Sequence, residues 1–175
     1  TNFQFWIPPT LCKPGEQRNK AIRQLNMIIH KCHQAELTVN PFIAVNTIGA
    51  EWYFACPNDP EDRKRILEFW EFFADNLTEA DIFTIFPGDP GGCNRNGCNH
   101  VTFIELAAEL THMLKDKIPG VEVEVGTWGT PFTGWGEDMR HTPNWDGTFA
   151  MLVDPNANNP EIPCHIWNGS EERVK

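Results

Sequence analysis

Asp89 is the carboxylate whose surroundings best suit chemistry. It sits in Pro87-Gly-Asp-Pro-Gly-Gly92, a turn that ends the apolar run Ile82-Phe-Thr-Ile-Phe86. Glycines there open backbone angles closed to other residues. Parallel α/β proteins keep their reacting groups at the carboxyl ends of strands, where such turns lie. Glu51 follows the second apolar run and is the candidate partner acid; Asp154 follows the fifth, and Glu137 lies in a Trp-rich loop. Two carboxylates flanking a bond can divide acid and base work between them, at ~5–5.5 Å or ~6.5–9.5 Å depending on stereochemistry. Asp89 divides between that role and closing its own turn, as Asp often does. For Glu51, Glu137 and Asp154 a surface role comes first. Glu122 and Glu124 alternate with Val121, Val123 and Val125, so they face either a barrel lumen or, in the preferred reading, solvent.

A second cluster is Cys93-Asn-Arg-Asn-Gly-Cys98-Asn-His100, three metal-ligating residue types within eight positions, with Cys56 as a fourth. Zinc signatures want a second Cys or His pair, which is missing. A local disulfide between Cys93 and Cys98, or two unpaired thiols, is therefore favoured, and neither a metal nor a cofactor is expected. His30 and His33, three apart on a helix, read as surface residues. No glycine-rich phosphate loop and no Gly-x-Ser-x-Gly elbow occurs, so nucleotide cradles and acyl transfer are set aside.

Seven Trp and twelve Phe stand against one Tyr. An indole face stacks on the CH face of a sugar ring as on any apolar surface. Phe69, Trp70, Phe72 and Phe73 share a helix and read as core. Trp52, Trp128 and Trp135 lie near strand ends or among glycines, and are the candidate stacking platforms. Asn46 and Asp154 are added as polar contacts to the same ligand.

Five strands and three helices would position these groups. Residues 3–7 form a short apolar strand stopped by Pro8-Pro9. Residues 15–36 carry Ile22, Leu25, Ile28, Ile29 and Cys32 at helical spacing. Residues 39–48 are β-branched, and a loop over 50–56 follows. Asn58 or Asp59 caps the next helix, with Pro60 in its first turn, and the helix runs to about Leu77. The strand at 82–86, a helix over 101–118, an alternating strand over 121–128 and an apolar strand over 148–153 complete the set. The tail beyond has no clear period. This β-α alternation is that of parallel α/β proteins. The chain of 175 residues is short of the ~250 of a closed eight-fold barrel. The expectation is a single (β/α)-barrel domain over 1–175, partial with about five strands, or an open doubly wound sheet. Long loops after strands and short ones after helices favour the barrel.

A net charge of −10 argues against a nucleic-acid partner. No run approaches the roughly 18 apolar residues of a membrane span. With no initiating Met, the amino end reads as processed or cut from a longer frame, in which case the rest of the barrel is a partner. Six cysteines without tight spacing and two Asn-x-Ser/Thr sequences leave the compartment open, with a secreted or periplasmic setting ahead.

The run Ala55-Cys-Pro-Asn-Asp-Pro-Glu61, a helix, and then Asp81-Ile-Phe-Thr-Ile-Phe-Pro-Gly-Asp-Pro-Gly-Gly-Cys93 resembles a pattern in TIM-barrel glycoside hydrolases of the hexosaminidase and α-glucuronidase group, in an uncharacterised branch. Phe5-Trp-Ile-Pro-Pro9 and Val125-Gly-Thr-Trp128 also sit where such barrels place strand ends, and the resemblance spans roughly residues 3–130. It implies a barrel that handles an oligosaccharide or glycoconjugate. Hexosaminidases end the equivalent strand in Asp-Glu, whereas Asp89 is followed by Pro90, so that family's acid is not carried across. The expected activity is hydrolysis of glycosidic bonds by a carboxylate pair, Asp89 with Glu51. The alternatives are a non-catalytic carbohydrate-binding barrel and a metal-dependent α/β enzyme using Cys93, Cys98 and His100.

Overall fold

The computed structural model describes residues 1–8, 11, 14–48, 53–86, 93, 95–98, 100–128 and 164–167. In chain order the elements are β1 (Asn2–Ile7), α1 (Glu16–Gln34), β2 (Thr38–Ala44), β3 (Thr47–Ile48), β4 (Tyr53–Phe54), α2 (Pro60–Asn76), β5 (Ile82–Phe86), α3 (His100–Lys117), β6 (Glu122–Trp128) and β7 (Cys164–Trp167). Five strands make one sheet in the order β1-β2-β5-β6-β7, every pair parallel. That order follows the chain without reversal. Doubly wound sheets reverse at a switch point, and right-handed crossovers that never reverse put every helix on one face. The sheet is therefore wound as a segment of a (β/α) barrel is, and the doubly wound alternative does not hold among the described strands.

The pleat divides the sheet's two faces. Ile7, Val39, Ile43, Phe83, Ile85, Val123 and Val125 are buried in one cluster with Ile22 and Ile29 of α1, Ile66, Trp70 and Phe73 of α2, and Leu106, Leu110 and Leu114 of α3. Alternation then sends Gln4, Asn40, Thr84 and Glu124 to the helix-free face. Trp70 also fastens α2 to the end of β2, donating its indole N–H to the Val45 carbonyl at 3.1 Å. Between α2 and α3, Arg63 pairs with Glu109. Ile28 departs from its expected place in the α1 stripe: it is 40% exposed, since the stripe runs through 22, 25, 29 and 32.

Two expected elements change. The strand over 39–48 breaks after Ala44: the Val45 N–H makes the last rung to the Phe86 carbonyl, and the Asn46 carbonyl then takes the Ala55 N–H at 2.8 Å. Residues 47–48 then pair antiparallel with 53–54, so part of the expected loop is a small hairpin. The tail read as aperiodic contains β7, whose Cys164 registers with Val125. Residues 148–153 lie outside the described ones. Among the described residues no helix is long and apolar enough to cross a membrane.

Burial ranks the core residues. Phe73→Ala is expected to cost about 3–5 kcal/mol, through lost contact and a residual cavity. Trp70→Phe keeps most of the bulk but strands a carbonyl, at about 1–3 kcal/mol. Urea unfolding of the two variants should show that order.

Candidate functional site

At the start of α2 the local sequence determines much of the geometry. Asp59 accepts the Glu61 and Asp62 N–H groups at 3.1 and 3.0 Å, with Pro60 opening the helix. This is the expected cap, and in the turn it opens Glu61 stays exposed while Asp62 points inward. Asp62 is 6% exposed. Its Oδ2 accepts the Cys56 N–H at 2.9 Å and the Tyr53 hydroxyl at 2.8 Å, and Arg95 approaches it at 3.3 Å. Arg65 meets Oδ1 at 3.3 Å. Burial pushes the Asp62 carboxyl up, but the Cys56 N–H, the Tyr53 hydroxyl and the two guanidinium charges outweigh it and hold it below the usual carboxylate range.

Arg95 brings in the segment after β5. It bonds the Tyr53 hydroxyl at 3.1 Å and the Phe54 carbonyl, and Asn58 Nδ2 donates to the Asn96 carbonyl at 2.9 Å. Asn96 and Gly97 have φ of 51° and 70°, and the Cys98 N–H closes on the Arg95 carbonyl at 3.0 Å. Two consecutive positive φ values are the Asn-Gly form of a tight turn, which other residues adopt with strain. Cys56, Cys93 and Cys98 thereby meet, with their sulfur atoms all within 4.8 Å of one another. Cys56 and Cys98 are nearest, at 3.4 Å, and Asn96 Nδ2 donates to Cys56 Sγ at 3.6 Å. All three are free thiols, so of the two forms expected for Cys93 and Cys98, a local disulfide or unpaired thiols, the structure has the unpaired thiols. Burial pushes the Cys56 thiol up, yet hydrogen bonds from Cys93, Cys98, Asn58 and Asn96 bring it below its ordinary value. Burial dominates at Cys98, which is pushed up to about 12.

The helix-free face holds a second polar group. Glu124 Oε2 lies 3.3 Å from Asn40 Nδ2 and 3.2 Å from Thr84 Oγ1. Thr84 Oγ1 also lies 3.0 Å from Asn40 Oδ1, and Gln4 Nε2 donates to it at 3.5 Å. One hydroxyl proton therefore serves two acceptors. Asn40 and Thr84 are buried, Glu124 is half-buried and Gln4 is exposed. Toward the strands' carboxyl ends, Phe42 packs edge-on against Phe86 at 4.8 Å between centroids, and Trp6 beside Phe42 in register is 43% exposed. The solvent reading holds for Glu122, whereas Glu124 on the same face is half-buried and bonded to Asn40 and Thr84, partners that alternation alone cannot name.

Of the residues picked from sequence, Asn46 is buried at the base of the hairpin, its Nδ2 donating to the Ala55 carbonyl at 3.0 Å while Oδ1 has no partner among the described residues. Trp128 ends β6, and His100 opens α3. Asp89, Glu51, Trp52, Trp135, Glu137 and Asp154 lie outside the described residues. His33 is not simply a surface residue: it bonds Asp81 at 2.9 Å at the opposite end of β5. Asp62 and Arg95 were missed; the signal for them was an acid in a capped first turn and an arginine between two cysteines.

The chain is a parallel α/β protein with consecutively ordered strands. No protein-family model and no curated protein matches it. Among solved structures it is similar to a protein from Anabaena variabilis described as a sugar phosphate isomerase/epimerase, at 15% identity and a TM-score of 0.47. The match covers 77% of this chain and 43% of that one, so the chain spans less than half the length of that protein. A likeness at that level decides neither substrate nor mechanism.

Asp62→Asn keeps the shape and removes the charge that four donors share. It should cost about 1.5–3 kcal/mol at neutral pH, the range for hydrogen bonds to charged groups. Because the folded carboxyl lies below its unfolded value, its contribution is complete above about pH 4 and is lost as pH falls further. Melting curves of wild type and variant should therefore converge on acidification below that point.

Proposed function

We propose that the protein is carbohydrate-active and binds saccharide along the helix-free face, near the carboxyl ends of the strands. The observation that carries this reading is the Glu124 carboxylate, reachable from solvent and held from below by Asn40 and Thr84. Sugars present many hydroxyls and a few apolar CH faces. A site for them needs fixed acceptors and donors beside aromatic surfaces. Glu124 and Gln4 supply the polar part and Trp6 the exposed indole, while Asn40 and Thr84 position the carboxylate.

In the finer form of this reading the protein hydrolyses glycosidic bonds. Asp89 and Glu51 would be the acid and its partner carboxylate, with Trp52, Trp128, Trp135, Asn46 and Asp154 around the sugar. Support for this form comes from sequence position after strand ends. A binding-only protein on the same scaffold is the competing form, since a fold does not fix a function.

A panel of aryl glycosides and calorimetric titration with oligosaccharides tests both forms. Asp89→Asn should lower kcat about 10²–10⁴-fold, the range for loss of a general acid or base, with binding retained. Glu124→Gln should weaken binding. Saccharide binding without turnover in the wild type leaves the binding form alone. No saccharide binding at all removes the proposal.

A further inference from the structure

Three thiols from two separate segments converge, and a single disulfide cannot account for them. It would join two sulfurs at ~2.05 Å and leave the third idle beside them. Thiolates bound to one tetrahedral zinc at ~2.3 Å stand roughly 3.8 Å apart. The sulfur atoms of Cys56, Cys93 and Cys98 all lie within 4.8 Å, with the nearest pair at 3.4 Å. The triangle therefore has the dimensions of a single ion's ligand set.

We propose that Cys56, Cys93 and Cys98 bind one zinc ion, which fastens the segment after β5 to the start of α2. Soft thiolates select zinc over the hard cations magnesium and calcium. Each thiol releases its proton to solvent as its Zn–S bond forms, and the fourth position is left to solvent or another donor. The surroundings already hold the ligands in place. The Cys56 N–H is fixed on Asp62, Asn96 Nδ2 points at Cys56 Sγ, and the tight turn at Asn96-Gly97 returns the chain to Cys98. Cys56 and Cys98 are 42 residues apart, so the ion closes a long loop whose ends the unfolded chain rarely brings together.

The whole chain, purified under reducing conditions without chelator, should contain one zinc by mass spectrometry of the metal. Cys56→Ser, Cys93→Ser and Cys98→Ser should each lose at least about ten-fold in zinc affinity, as loss of a ligand requires. Cys32→Ser, at a buried position of α1, should keep its zinc. Where a variant fails to fold, the wild type decides. Iodoacetamide should spare the three thiols in the zinc form and label them after chelation, and cobalt(II) in place of zinc should give a thiolate charge-transfer band. Absence of zinc uptake, zinc retained by the triple Ser variant, or a disulfide joining any two of the three would overturn the assignment. These measurements use no sugar, so they stand or fall apart from the saccharide reading.

Discussion

One carboxylate, Asp62, joins the stretch between the small hairpin and α2 to the distant segment after β5. It takes an N–H from the turn before α2, a hydroxyl from the small hairpin and a guanidinium from the segment after β5. A buried carboxylate persists only when its lone pairs are filled, so each donor is required by the others. The cysteine triangle and the docking of the Asn-Gly turn both follow from that arrangement. The cap at Asp59 comes first, because it sets the direction in which the first turn of α2 presents its acids.

A second carboxylate does similar work at the opposite end of the sheet. Asp81 accepts the Val39 N–H at 2.7 Å and bonds His33 of α1 at 2.9 Å, tying the entry to β5 to its neighbours. Its position at the amino end of the strand marks it as a fastening of the framework, away from the end where parallel α/β proteins place reacting groups. The run from Asp81 to Asp89 thus has an acid at each end of one strand.

The sheet's two faces are set by the same alternation but answer different demands. On one side the helices require apolar volume, which Val39, Phe83 and Val123 supply. On the other, no helix among the described residues covers the strands, and amide, hydroxyl and carboxylate can remain if they satisfy one another. Gln4, Asn40, Thr84 and Glu124 do so across four neighbouring strands.

Much of the framework was legible in the sequence, because it rests on short-range signals. Apolar periods marked the helices and strands to within a few residues, Asp59-Pro60 marked a helix start, and β-α alternation marked the parallel sheet. What escaped depends on partners far along the chain. The break after Ala44 reflects the hydrogen bond from Ala55 to Asn46, and β7 exists through its pairing with β6. Glu124 read as solvent-facing because period two names a face but not what lies on it. The choice between a Cys93–Cys98 bond and a meeting with Cys56 could not be made from spacing, since it depends on where Asp62 and Arg95 dock one loop against another. Local sequence determined which elements form; only the packed chain decided which side chains meet, because those meetings are set by contacts across some forty to eighty residues of intervening chain.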